Sequence, residues 1–86
     1  MVNYSISFAR SATKELEKLD NKTIQRILAK IEALSNEPRP TNCKKLQGEE
    51  NFWRIRIGNY RIIYSIYDKK HIVDIIAIRH RSEVYR

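Results

Sequence analysis

The chain has 86 residues, 42% of them hydrophobic, and a formal net charge of +7 from 17 Lys+Arg against 10 Asp+Glu. That length allows one domain, residues 1–86, with a modest core; its regular apolar spacing excludes a disordered chain, and no apolar run approaches the roughly 18 residues of a membrane span. A single cysteine, Cys43, cannot form an internal disulfide, and the opening MVNYSISFAR lacks the basic start and apolar stretch of a signal peptide, so a reducing cytoplasmic setting is expected.

The elements follow in chain order. VNYSISF alternates, with Val2, Tyr4, Ile6 and Phe8 on one face, and predicts a first strand. SATKELEKL places Ala12, Leu16 and Leu19 on one stripe of a short helix, with Ser11 as its N-cap. The DN step can cap a second helix, in which Ile24, Ile27, Leu28, Ile31 and Leu34 recur at helical spacing until SNEPRP ends it. A loop, PTNCKKLQGEEN, precedes three strand-like stretches, FWRIRI, YRIIYSIY and HIVDIIAI, separated by GN and DKK. The expectation is an α+β domain of order β-α-α-β-β-β, a helical hairpin packed on an antiparallel sheet.

Charge is concentrated late. Residues 1–43 carry 7 basic and 5 acidic side chains, and residues 44–86 carry 10 and 5. Alternation in FWRIRI puts Trp53, Ile55 and Ile57 on one face and Phe52, Arg54 and Arg56 on the other. A two-residue Gly58-Asn59 turn sets Arg56 opposite Arg61 and Arg54 opposite Ile63. Three arginines then share one face, with no acid between residues 51 and 67. Like charges directly opposite destabilise a sheet, and an anion relieves them. A solvated face is the bland alternative for such a cluster. Arginine's planar fork suits phosphate oxygens, so the pattern points to nucleic acid, although an acidic protein would meet the same surface. IVDIIAI is apolar on both faces, as a covered central strand would be, and alternation alone does not place Arg79.

KLQG at 45–48, WRIRIGNYRIIY at 53–64 and the terminal RSEVY at 81–85, in this order, resemble the RelE branch of the RelE/ParE toxin superfamily. The strand, FARSATKELEKL and second helix of the first half are similar to it too. The resemblance implies a RelE-like fold and a type II toxin that cuts mRNA in the ribosomal A site without a metal or other cofactor. It also implies a cognate acidic antitoxin; with no obvious apolar patch in so small and basic a chain, a monomer is expected when it is free of that partner. The substrate's own 2′-OH would attack the adjacent phosphate, so DNA could not be cut this way.

Carried over by position, the family's phosphate-handling residues fall on Arg54, Arg56, Arg61 and Arg79, and its terminal tyrosine on Tyr85. Relatives commonly have lysine where Arg54 and Arg56 stand, and a lysine there has been proposed as the base. Arginine is effectively never neutral and makes a poor base. His80 is then a candidate base or acid, or simply a solvated residue, and Arg79 and Arg81 compete for the phosphate. Lys44 and Lys45 are expected to add RNA contacts, and Trp53 and Tyr64 to be core. No metal-ligand spacing or Gly-rich phosphate loop is present. Two alternatives share the resemblance: a ParE-like inhibitor of DNA gyrase, and a catalytically weakened module that binds RNA or antitoxin.

Overall fold

In this computed structural model, residues 3–48 and 51–81 are described. β1 (Ser5–Phe8) leads into α1 (Arg10–Glu17) and α2 (Asn21–Ala33), followed by β2 (Lys44–Lys45), β3 (Phe52–Ile57), β4 (Tyr60–Tyr67) and β5 (Ile72–His80). The α+β class stands as expected. The five strands form one sheet of order β1-β5-β4-β3-β2. β3, β4 and β5 make the antiparallel meander that the turn signals predict, and every β3–β4 pairing drawn from Gly58-Asn59 is present. Two features go beyond the sequence reading. β1 joins the sheet parallel to β5, with Ser5 opposite Ile72, and β2 forms inside the stretch read as a loop.

One face of the sheet holds the core. Ala12 of α1, Ile27 and Ile31 of α2 and Leu34 at the C-cap of α2 pack in one cluster with Ile55, Ile57, Ile62, Tyr64, Ile66, Val73, Ile75 and Ile78. On β3 and β4 these residues alternate, and on β5 the set Val73, Ile75 and Ile78 changes parity at Ile76, so period 2 sends the intervening residues to the opposite face. Burial of Tyr64 pushes its phenol above the ordinary range, and its hydroxyl donates to the Pro38 carbonyl at 2.8 Å. Among the described residues no helix is long and apolar enough to cross a membrane.

The start of α1 corrects the sequence reading. Ala9, with extended backbone, holds the N-cap position, and Ser11 lies one residue inside the helix. β5 bulges: Ile63 faces Ala77 while Tyr64 faces Ile75, so Ile76 has no opposite residue. Ser11 Oγ donates to the Ile76 carbonyl at 3.0 Å. A tertiary acceptor, invisible to local pattern, has taken the hydroxyl from the cap. Asp20 does occupy the N-cap of α2, and it accepts the Thr23 hydroxyl, which holds its carboxyl below the usual range.

The segment after α2 is tied down by one arginine. Arg39 donates twice to Asp68, at 2.9 and 3.2 Å, and lies 5.0 Å over the Trp53 ring. Tyr4 donates to the same carboxylate at 2.8 Å. With these donors Asp68 is held below the usual carboxylate range, led by Arg39, and the Tyr4 phenol is raised, led by its bond to Asp68. The clasp joins the entry to β1, the β4–β5 turn and the loop before β2. That loop carries Asn42 and Lys44 toward the open face of the sheet.

A cationic face on the open side of the sheet

The open face is organised in rows across the strands. Arg56 on β3 stands opposite Arg61 on β4, and Arg61 stands opposite Arg79 on β5. The next row, one alternation step away, runs Lys44, Arg54, Ile63 and Ala77. Strands sit about 4.8 Å apart and alternate residues about 6.7 Å apart, so five cations share a patch of roughly 15 by 7 Å. Arg54 and Arg61 are half-buried, while Arg56 and Arg79 are exposed.

A cleft of about 260 Å³ opens on this patch, lined by Asn42, Lys44, Arg54, Ile55, Arg56 and Arg61. With no acid between residues 51 and 67, β3 and β4 offer these cations no carboxylate of their own. Arginine in such a cleft offers several fixed N–H donors, and it stays charged at any physiological pH. The arrangement can bind a phosphate by paired hydrogen bonds and can stabilise extra charge building on it.

The residues singled out from sequence fall into three groups. Arg54, Arg56, Arg61, Arg79 and Lys44 are brought together. Lys45 pairs with Trp53 and so takes that residue's side of the sheet, away from the cleft. His80 pairs with Tyr60, and their rings meet edge to face at 5.1 Å. Alternation places that pair on the side opposite Arg61 and Arg79, so His80 is not part of the cationic face. Arg81 follows β5, and its backbone N–H donates to the Asn59 carbonyl at 2.7 Å, tying the strand end to the β3–β4 turn. Tyr85 lies outside the described residues. Sequence reasoning missed Asn42, which lines the cleft from a loop with no periodic pattern.

Comparison with known proteins matches this architecture. Residues 6–85 match the family described as the ParE toxin of the type II toxin-antitoxin system, parDE. The mRNA interferase toxin RelE of Escherichia coli K12 is 31% identical over 86 residues, covering 95% of this chain and 90% of that protein. Toxin RelG of Mycobacterium tuberculosis is 31% identical over 88 residues, covering 96% and 97%. Among solved structures, RelE in the archaeal RelE–RelB complex of Pyrococcus horikoshii superposes with a TM-score of 0.82 at 28% identity, covering 92% of this chain and 96% of that one. The toxin–antitoxin complex RelBE2 of Mycobacterium tuberculosis gives 0.83 at 30% identity, covering 95% of each. Fold, length and sequence agree over nearly the whole chain: it is a toxin of the RelE/ParE superfamily, of the RelE type.

Proposed function

We propose that this toxin is an endoribonuclease that cuts mRNA in the ribosomal A site. The observation that carries the reading is the arginine row Arg56–Arg61–Arg79, flanked by Arg54 and Lys44, on one open sheet face. The ribose 2′-oxygen attacks the adjoining phosphorus, the bond from phosphorus to the 5′-oxygen breaks, and the products are a 2′,3′-cyclic phosphate and a 5′-hydroxyl. Arg61 and Arg79 hold the phosphate and Arg54 and Arg56 offset its added negative charge. Arg79, in register with Arg61, is assigned to the phosphate ahead of Arg81. Arginine supplies no base, and His80 is on the other face, so proton transfer falls to Tyr85 or to water.

The same face suits an acidic antitoxin, and the RelE structures that this chain resembles include RelE–RelB complexes. Association with such a partner weakens as salt rises. Two specific observations keep other readings in view. On the resemblance to RelE, Arg54 and Arg56 stand where relatives commonly have lysine, which favours a binding module without catalysis, and the matching family is named for ParE, which favours gyrase inhibition.

Primer extension on a translated message after induction separates the three. Discrete cuts within codons, present only when ribosomes engage the message, support the nuclease. Arrested growth with intact mRNA and trapped DNA transfers the assignment to gyrase. Intact mRNA and DNA together with tight RNA binding leave the module.

A further inference from the structure

A second cleft, of about 410 Å³, adjoins the first and shares Asn42, Ile55 and Arg56 with it. It lies between α2 and the edge of β3, along the stretch beyond Arg54 that β2 does not pair. Among the described residues, Arg26 and Lys30, exposed on α2, join Arg56 as its cations, and Glu37 is the acid on its lining. Ala33, Pro40 and Ile57 give it an apolar wall. Its far end is shaped by Gly58, whose backbone sits at φ +60°. A Cβ there would come within 3.1 Å of Arg26 Nη1, so the absent side chain leaves the space that the guanidinium occupies against the turn. An apolar wall beside three cations, continuous with a phosphate site, matches a single RNA strand. Bases lie on apolar surface while cations follow the backbone.

We propose that this second cleft is a subsite for the RNA residues adjoining the cut phosphate. Arg26 and Lys30 hold a neighbouring phosphate, and Asn42, at the junction of the two clefts, hydrogen-bonds a base edge. The assignment rests on the nuclease reading, because it extends the strand whose phosphate lies on Arg56 and Arg61. The occupant is the same strand, since the clefts share a wall and one chain can pass from one into the other. The β3 edge beyond Arg54, which β2 does not pair, and its cations would also meet an acidic peptide strand, and the test separates the two.

The experiment uses the full chain and fluorescein-labelled 2′-O-methyl RNA, which cannot be cut by 2′-OH attack, as a dinucleotide and as a hexanucleotide. Binding is followed by anisotropy across a salt series. With Arg26→Gln and Lys30→Gln combined, hexanucleotide affinity is expected to fall about tenfold, and the magnitude of its log–log salt slope by about 1 to 2. Dinucleotide affinity, which the first cleft alone accommodates, changes less than about twofold on the same argument. Melting curves check folding. If the double variant does not fold, Lys30→Gln alone shows the same selective loss at smaller size.

Wild-type hexanucleotide affinity in the double variant, while Arg61→Ala weakens binding of both lengths, overturns the subsite and leaves the nuclease reading standing. Unchanged RNA binding with lost binding of a glutamate-rich decapeptide makes the cleft a protein-docking surface, and also overturns it. No Arg61-dependent RNA binding in the wild type, together with no ribosome-dependent cutting, removes the nuclease reading and the subsite with it.

Discussion

Arg61 faces Arg56 on one side and Arg79 on the other, so that the centre of the sheet's open face is a row of three guanidinium-bearing residues in register. A cross-strand like-charge pair costs a few tenths to about 1 kcal/mol. The core lies on the opposite face of the sheet, so the row can be tested apart from it.

Replacing Arg56 with methionine should therefore separate stability from function. Arg56 is exposed, and the Arg56→Met variant removes one like-charge opposition while keeping a long side chain. Urea denaturation should show stability unchanged or raised by up to about 1 kcal/mol. RNA affinity by anisotropy should fall several-fold or more. A clear loss of stability with RNA binding intact would make Arg56 a structural residue.

Ionic strength tests the proposed phosphate contacts by counting them. For a single strand, the slope of log K against log salt is about −0.7 per phosphate neutralised. Four arginines acting on phosphates predict a slope near −3 for a short non-cleavable RNA, and Arg61→Ala should reduce its magnitude by about 1. A slope near zero would mean that the cations do not meet the backbone.

The Arg39–Asp68 clasp predicts a pH-dependent stability on a different surface. Asp68 is held below its ordinary carboxylate value of 3.8, so its contribution is present above that value and disappears as pH falls through the lower folded-state value. At pH 7, Asp68→Asn should be less stable than wild type, by no more than about 1 kcal/mol because the pair is well exposed. The gap should close as pH falls through the lowered folded-state value and the wild-type carboxylate protonates. A gap of the same size at pH 7 and pH 2, measured by urea denaturation, would show that the ion pair is not its source.

Tyr64 tests whether the two faces act independently. Its hydroxyl donates to the Pro38 carbonyl from within the core. Tyr64→Phe should cost about 1 kcal/mol in stability and leave RNA affinity unchanged. A large fall in RNA affinity at full folding would instead link the core to the cationic face through the loop that bears Asn42.

Much of the site was legible before any coordinates, because the sheet's period of two and a two-residue turn set register without reference to anything distant. Arg54, Arg56 and Arg61 follow from WRIRIGNYR alone, and the pairing agrees residue by residue. Local pattern failed where a partner distant in sequence decided the outcome. Ser11 bonds the Ile76 carbonyl across 65 positions in preference to capping its helix. His80 sits between two arginines in sequence, yet alternation turns it to Tyr60.

By itself the sequence determined the class of fold, the apolar and cationic faces of β3 and β4, and the concentration of positive charge late in the chain. These depend on side-chain period, turn chemistry and net charge, all of which are local or additive. Only the tertiary structure decided that Arg79 completes the row, since the Ile76 bulge shifts β5 by one residue and no repeat in IVDIIAI announces it. Only the tertiary structure withdrew Arg39 into a clasp with Asp68, added Asn42 to the cleft, and set Arg26 against Gly58. Those are contacts between segments far apart in the chain, and the chemistry of either segment alone does not contain them.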